Sequence, residues 1–573
     1  MKNCNLKFEK IFFLKFAFLI FIFVFFTTPL FSFAEDIYES RLNNGLKNTE
    51  QYSYVLIKKA QANPSNAKSL LTEAIKYSPN LPAAYFEMAR ISFSLSQEGI
   101  FESLNYMIEG INAYKRNFWW LMSITGLSFI SLISSFIIGL IVVIGIRFFI
   151  ETPLLSHDIK EDKKKALMIL SLVPFSFFGP LFFIAGALFL LGLYFGKTDK
   201  VIVYVSILFL LLSSPLLRIA NTFLSASSPE LRAIVAVNES RDNKDAISVL
   251  KGKNDFASLF SYGLALKREG RYEEAMAAYK DLLSSSSSPQ RISDDPMVYV
   301  NLGNCYYGIN DMAAAKDSYK KSIEMKPLAS AYYNLSQVSR ETLDFTKGEE
   351  YFLTAIRLSR ESVSRFTSTA SRNPNRFVID ETLPMSVLWK YAHSKAQKLI
   401  KLSSLNEAVT VIISIALILL FYMIDTRMKY RAYRCKRCNV ILCSKCEKEL
   451  LWGQMCSQCY KSIVKLDELD SRERVAKVLE VQELRTRKRN IVKVLSFTLP
   501  GIAHIYSGRI LMGSLFLWAF LFLLILILLN PLLSTGLSSF SHNWLTIPSL
   551  ILMVVLYLIA NVSIRRGLNR GWL

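Results

Sequence analysis

Histidine is nearly missing from this sequence. Its 573 residues hold four, His157, His393, His504 and His542, scattered through separate regions. The usual acid/base machinery for proton transfer at neutral pH is therefore thin. No nucleophile elbow, phosphate loop or metalloprotease helix is present, so the usual carriers of acyl-transfer, nucleotide and zinc-hydrolase chemistry are lacking. Charge is also scarce where transport would need it, because the long apolar runs carry essentially no Asp, Glu, Lys or Arg at their centres. The expectation is a protein that is not an enzyme, with no catalytic residue, no organic cofactor and no small-molecule substrate.

What is abundant is apolar sequence. Hydrophobic residues make up 52% of the chain, and Phe, Leu and Ile concentrate in runs of about 17 or more, the length that crosses roughly 30 Å of hydrocarbon. A soluble globule of this composition is excluded, and the predicted partner of these runs is a lipid bilayer. The net charge of +22 reflects Lys and Arg flanking the runs, as membrane orientation requires. Nucleic acid is a weaker explanation of that charge, since few aromatics accompany the basic residues.

The first residues read as an export signal. Lys2, Lys7, Lys10 and Lys15 precede an apolar core from Phe16 to Phe26, and Ser32-Phe33-Ala34 supplies the small residues of a cleavage site. Cleavage after residue 34, or retention as an anchor, places the region beginning at Glu35 outside the cytoplasm. Residues 35–117 are polar with helical periodicity: Ala67, Leu71 and Ala74 recur on one face, and Tyr85, Met88 and Ala89 on another after Pro79 and Pro82. One or two helical hairpins are expected there.

Residues 118–217 hold three apolar segments, Phe118 to Ile150, Ala166 to Gly196 and Val201 to Leu217. The link with Lys160, Lys163, Lys164 and Lys165 is basic and short, hence cytoplasmic. A polar region, 218–406, precedes a span at 408–424. Residues 425–490 are basic and cysteine-rich, ending in Arg485-Thr486-Arg487-Lys488-Arg489, and residues 491–573 carry two last spans, Leu511 to Leu529 and Trp544 to Val562. Single crossings of the three middle segments would leave the polar region in the cytoplasm and export the cysteines. Arg427, Lys429, Arg431, Arg434, Lys436 and Arg437 directly after a span argue the reverse. The preferred resolution is that Ala166 to Gly196, broken by Pro174 and Gly179-Pro180, is a tight pair of short helices. The polar region is then exported and the cysteines are cytoplasmic, in an inner (cytoplasmic) membrane protein.

Within the polar region Tyr299, Leu302, Gly303, Tyr306, Ala315, Tyr319 and Pro327 fall at regular offsets. Gly303 and Ala315 are small where two helices would cross, large residues would fill the gap, and Pro327 would stop the second helix. Tyr262-Gly263, Gly270-Arg271-Tyr272, Ala275 and Tyr279 repeat the pattern upstream, before an insertion with Ser284 to Ser288. Leu335-Ser336, Phe345, Gly348, Phe352 and Ala355 repeat it more weakly downstream. Over about 100 residues the chain resembles the tetratricopeptide repeat family, and Ala67 to Pro79 is a fainter match. The resemblance implies stacked helical hairpins with a concave groove for a protein or peptide ligand. The plainer alternative is a set of packed helices that only supports the membrane part.

Six cysteines, Cys435, Cys438, Cys443, Cys446, Cys456 and Cys459, form three Cys-x2-Cys pairs. Each such turn directs two thiolates at one metal, and two turns complete the four-sulfur shell that zinc prefers. No His lies nearby for a second site. A single structural Zn2+ held by Cys435, Cys438, Cys456 and Cys459 is favoured, with the first four cysteines as competitor and disulfides or an iron–sulfur cluster as other uses of the thiols. Last, Pro500-Gly501-Ile502-Ala503-His504-Ile505-Tyr506-Ser507-Gly508-Arg509 resembles the entry segment of small two-helix membrane domains found in many bacterial proteins. There the glycines would permit turns and close helix contact, and His504, Tyr506 and Arg509 would form a polar cluster at the membrane interface.

The expected fold class is mainly α: multi-span membrane helices, tetratricopeptide-type α-solenoid segments and a small zinc-ribbon-like module. The expected role is a membrane scaffold for protein–protein interaction in a bacterial cell envelope. A transmembrane sensor or adaptor is the alternative.

Overall fold

A computed structural model of the chain describes residues 50–158, 175–224, 228–239, 245–284, 295–372, 378–396, 405–427, 432–443, 455–463, 470–533 and 543–570. The export signal at 1–34, the lysine-rich link at 160–165 and Cys446 lie outside these residues. The described chain is almost wholly helical, with one two-residue antiparallel ladder pairing Tyr433 with Leu442 and Arg434 with Ile441. It divides into two compact units: residues 50–117 with 233–383, and residues 118–232 with 384–533 and the last helix.

In the first unit, helices Glu50–Ala62, Ala67–Tyr77, Pro82–Ser92 and Gln97–Arg116 pack as consecutive hairpins. Ala67, Leu71 and Ala74 are fully buried, and so are Met88 and Ala89. The helices of the repeat region also come in pairs: Phe256–Arg268 with Tyr272–Ser284, Pro296–Gly308 with Met312–Met325, and Ala329–Glu341 with Phe345–Leu358. Their starts are written in the sequence. Asp255, Asp295, Asp311 and Asp344 each cap a helix, accepting from the backbone N–H of Ser258, Met297, Ala314 and Lys347. Each hairpin turn holds a residue in the left-handed region at one equivalent position: Gly270 (φ 78°), Asn310 (φ 65°) and Leu343 (φ 62°). Gly and Asn accept that conformation readily, whereas Leu is strained there.

The small residues sit where expected. A Cβ on Gly303 would lie 2.6 Å from the Tyr319 ring, and one on Gly263 2.9 Å from the Tyr279 ring. Tyr279, Tyr319, Ala275 and Ala315 are wholly buried and Leu302 nearly so. Tyr299 and Tyr306 are partly buried, and Tyr306 packs against the core that holds Val300, Ala315 and Tyr319. Pro327 follows the helix that ends at Met325.

The second unit is built from apolar helices. Among the described residues, four are long and apolar enough to cross a membrane: Phe118–Asp158, Glu407–Arg427, Ile510–Pro531 and Leu545–Asn569. The apolar segment from Val201 to Leu217 lies on two helices, Val201–Leu211 and Ser213–Leu224, bent by 62°, a broken span or a re-entrant loop. Pro215 supplies the reason, having no N–H to donate and a ring that clashes with the carbonyl of Leu211. The helix that holds the first apolar segment runs on past Ile150 to Asp158, through Pro153.

One end of this unit gathers aromatic rings. Phe118 and Trp389 lie 5.0 Å apart, Phe223 and Trp389 6.0 Å, and Phe129 and Phe223 5.7 Å, while Arg218 pairs with Glu407. Polar contacts mark the other end. The Tyr194 hydroxyl donates to Asp158 at 2.7 Å, Lys200 pairs with Asp425, the Leu511 N–H donates to Asp199 at 2.7 Å, and the Ala432 N–H donates to Asp158 at 2.9 Å. The chain thus returns by Tyr194 to the end it left at Asp158. Of the expected pair of short helices, the second is described: Pro180–Gly192, opened by Gly179 at φ 116°.

Candidate peptide groove and metal centre

Two constellations stand out, one in each unit. The first lies on the initial helices of the repeats. Asn301 and Asn334 occupy the same position in successive repeats, two residues before Gly303 and Ser336, and both side chains are buried. A buried carboxamide must find partners, and here the partner is a stretch of the protein's own chain, Val378–Leu383. Asn334 accepts from the Ile379 N–H at 2.7 Å and donates to the Ile379 carbonyl at 2.8 Å. Asn301 accepts from the Glu381 N–H at 2.9 Å and donates to the Glu381 carbonyl at 3.0 Å. Asn238, at the end of helix Pro229–Asn238, accepts from the Leu383 N–H at 2.8 Å and donates to Ser261 at 2.8 Å. Ser261 stands two residues before Gly263, the position that Asn301 and Asn334 take in their own repeats.

The carboxamides therefore read residues 379, 381 and 383, the period of an extended strand, and read them through backbone atoms. This strap runs against the order of the repeats. Asn304 ties the ladder together: it donates to the Ile379 carbonyl at 2.9 Å and accepts from the Tyr319 hydroxyl at 2.7 Å and from Asn334 at 2.9 Å. Side-chain recognition is concentrated at Asp380, which is held by Lys267 at 2.6 Å and Asn304 at 3.0 Å, with Arg268 3.6 Å away. Asp380 and Lys267 are 3% and 7% exposed, so this ion pair is desolvated. Ile379 is buried against Tyr333, Ala355 and Val363. Glu381 accepts from Ser330, and burial, with Asp295 and Asp380 adding repulsion, pushes its carboxyl above the ordinary range.

The residues that shape the hairpins could be named from the sequence and a groove was implied by the resemblance, but the asparagine ladder and the segment it holds could not. The available signal was an Asn 33 residues apart on the buried face of equivalent helices, where polarity has no packing reason.

The second constellation is the cysteine module. Cys435 and Cys438 sit on the turn of the small hairpin: the Cys435 N–H donates to the Val440 carbonyl at 2.9 Å, and Asn439 takes a left-handed φ of 64° that closes the turn. Cys456 and Cys459 lie at the start of helix Ser457–Ile463. The four sulfurs lie within 4.8 Å of one another, all four residues are buried, and Cys438 and Cys456 are 3.6 Å apart. A tetrahedral site with Zn–S bonds of about 2.3 Å sets sulfurs about 3.8 Å apart, so this donor set fits a metal ion. Backbone N–H groups of Cys456 and Cys459 point at the sulfurs of Cys435 and Cys456 at 3.3 and 3.4 Å, the outer-shell support that metal thiolates use.

Burial opposes ionisation of Cys435, but N–H groups of Cys438, Cys456 and Arg437 outweigh it and bring the thiol down to about 7. Burial and the neighbouring sulfurs push Cys456 up to about 11 and raise Cys459 as well. Four thiolates this close require a cation to hold them. Val481 of helix Ser471–Leu495 covers the site. Cys443 stands apart, buried with Leu154 and Ala432, so the structure assembles the two outer pairs.

The segment at Pro500 is organised by backbone contact. Gly501 has φ 95°, and a Cβ on it would come 2.1 Å from the Gly513 carbonyl oxygen; Gly508, at φ 92°, turns the chain. Pro500 is buried beside them. The three residues of the expected polar cluster differ in exposure. His504 is fully buried, 3.1 Å from the Ser563 hydroxyl and against the Phe516 ring, Tyr506 is half-buried, and Arg509 is exposed. Close packing of Gly501 on Gly513 turns the imidazole inward and leaves Arg509 past the turn.

Comparison with known proteins bears on the repeats. The family described as tetratricopeptide repeat matches residues 256–289, 298–327 and 329–362. No curated protein matches the chain. Among solved structures, one titled "Crystal structure of APC/C hetero-tetramer Cut9-Hcn1" aligns over 83% of this chain and 95% of that one at 12% identity, with a TM-score of 0.16, too low to carry an argument. The three matched stretches coincide with the three helical hairpins and with the helices that carry Ser261, Asn301 and Asn334: the chain contains three tetratricopeptide repeats with an extended segment lying in their groove.

Proposed function

We propose that this protein is an integral membrane scaffold that holds protein partners through its tetratricopeptide repeats and helps to organise a complex of the bacterial cell envelope. The carboxamide ladder Asn238–Asn301–Asn334 carries this reading, because it is built to hold an extended polypeptide and supplies no chemistry that would transform one. The protein is on this reading not an enzyme. Affinity capture from gently solubilised membranes tests it, comparing the full chain with a version lacking 256–362. Partners retained equally by both sink the scaffold reading.

Membrane insertion is supported by what the apolar helices leave uncovered. Only 22% of Glu407–Arg427 and of Leu545–Asn569 is buried within the protein. The uncovered faces carry Ile412, Leu419, Ile547 and Ile551, a surface that water disfavours and lipid accepts. The proposed placement is multi-pass in the inner membrane, with the repeats exported and the cysteine module cytoplasmic. It is supported by Phe118, Phe223, Trp389 and Glu407 gathering at one end of the apolar unit and Asp158, Asp425 and Ala432 at the other. Reporter fusions after Ser225, Ser371 and Ser462 test it; the first two active outside and the third inside is the expected pattern. The metal is proposed to be a structural Zn2+ ion on Cys435, Cys438, Cys456 and Cys459, and the segment from Pro500 to open a two-helix membrane domain.

One observation favours a second reading, a transmembrane sensor or adaptor. The strap continues directly into Pro384 and helix Met385–Ser394, whose Trp389 packs on Phe118, so a ligand that moves the strap pulls on chain rooted in the apolar helices. Labelling of Cys435 that is insensitive to occupancy of the groove would count against it.

A further inference from the structure

The groove in which a repeat protein holds its ligand is filled here by the protein itself. Three features of the filling bear on what else fits. Among the described residues, the hydrogen bonds between the groove and the strap backbone all come from Asn side chains, so the strap can leave without breaking a helix or a sheet. On the strap, the carboxamides of Asn334, Asn301 and Asn238 touch main-chain atoms of residues 379, 381 and 383, so these three accept any extended chain, whereas Asn304 also meets the Asp380 carboxylate at 3.0 Å. Selection by side chain rests chiefly on an apolar pocket at Ile379, formed by Tyr333, Ala355 and Val363, and on the cationic pair Lys267 and Arg268 facing Asp380, with Ser330 donating to Glu381 as a further contact. Lys267 has been drawn into the interior to meet a carboxylate, a feature that contributes specificity more than net stability.

We propose that Val378–Leu383 is a resident pseudo-ligand, and that the groove takes from a partner protein an extended segment with an apolar residue followed by an acidic one, which displaces the strap. This rests on the scaffold reading and adds the chemistry of the partner and the gate it must open. The gate has a natural strength. A tethered occupant acts at an effective concentration of about a millimolar, so a segment that would bind the open groove at about 0.1 mM meets about a tenfold weaker apparent affinity.

The test uses the full chain in detergent and one probe, a fluorescein-labelled peptide of the sequence Val-Ile-Asp-Glu-Thr-Leu-Pro, followed by anisotropy. Two variants open the groove: Asp380→Lys, which sets the strap against Lys267, and replacement of residues 378–383 by Gly and Ser in alternation. The expected result is that both bind the probe at least about tenfold more tightly than the unmodified protein. Adding Asn301→Ala and Asn334→Ala to either should abolish binding, and a probe with Lys in place of its Asp should fail. Opened variants that keep their helical circular dichroism but bind no more tightly overturn the proposal. So does loss of that helical signal in both, which would make the strap a structural part of the repeats. The two readings fail separately. Partners captured equally well when Asn301 and Asn334 are replaced leave the scaffold standing and remove the groove; probe binding without any repeat-dependent partner does the reverse.

Discussion

Replacing Asn334 with Ala should loosen the strap by an amount that the geometry sets. The carboxamide makes two bonds to Ile379, at 2.7 and 2.8 Å, and the N–H and the carbonyl of that residue are both buried. A net hydrogen bond is worth about 1 kcal/mol, and leaving its partner buried and unsatisfied adds to the cost. The substitution should therefore weaken local closure of the strap by about 2–3 kcal/mol. Where opening is a rapid pre-equilibrium, amide hydrogen exchange reports that energy directly. The Ile379 N–H should exchange about 30- to 150-fold faster in Asn334→Ala, taking RT as about 0.6 kcal/mol. Exchange of a peptide covering 378–384, measured by mass spectrometry on the full chain in detergent, reads the change. The Asn304 bond to the same carbonyl (2.9 Å) survives, so helices Pro296–Gly308 and Met312–Met325 should keep their protection. A strap whose exchange is unchanged would mean that something other than the ladder holds it, and would refute the reasoning.

Other parts of the structure carry three further expected outcomes. Cys459→Ser should abolish one bound zinc ion per chain, counted by plasma emission, and expose the 432–463 module to protease while binding through the repeats persists. Leu343→Gly should relieve about 1–2 kcal/mol of left-handed strain against about 0.5–1 kcal/mol of added unfolded-chain entropy; Leu343 is 76% exposed, so no packing is lost, and exchange across helices Ala329–Glu341 and Phe345–Leu358 should slow. The Glu381 carboxyl is raised in the folded protein, so the folded state holds its proton more tightly than the unfolded chain does. Strap closure should then be strongest below the ordinary glutamate pKa and weaken as pH rises through the raised value. Glu381→Gln should flatten that dependence, read as exchange of 378–384 corrected for intrinsic rate.

The repeats were legible because their logic is local. Gly303 beneath the Tyr319 ring, and Asp311 capping the helix after it, each follow from residue type and offset. The two outer cysteine pairs were legible for a similar reason, since a Cys-x2-Cys turn fixes its own geometry; which pairs combine depended on the hairpin that draws Cys443 aside to Leu154. A groove was implied by the resemblance, but its occupant was not legible. Asn334 and Ile379 are 45 residues apart, and no periodicity in 378–383 announces a segment that lies in an extended course with no strand beside it. The bend after Leu211 was readable from Pro215 but was masked by the unbroken hydropathy around it. His504 misled for the opposite reason: a polar residue beside Arg509 suggests a surface, and only the backbone contact of Gly501 with Gly513 shows why the ring faces inward.

The helix Phe118–Asp158 has 41 residues, which at 1.5 Å each makes it about 60 Å long, twice the roughly 30 Å of hydrocarbon it is proposed to cross. Its second half is not free-standing: Leu140, Val143 and Leu155 are buried in one core with Leu181, Val203, Phe421 and Leu517. Arg434 is fastened to the Ile150 carbonyl at 2.6 Å and Ala432 to Asp158, so the cysteine module is moored to the last turns of a helix that is itself held in place, and the two should move as one piece. Spin labels on the module and on that helix should then report one narrow distance, and Arg434→Ala should broaden it.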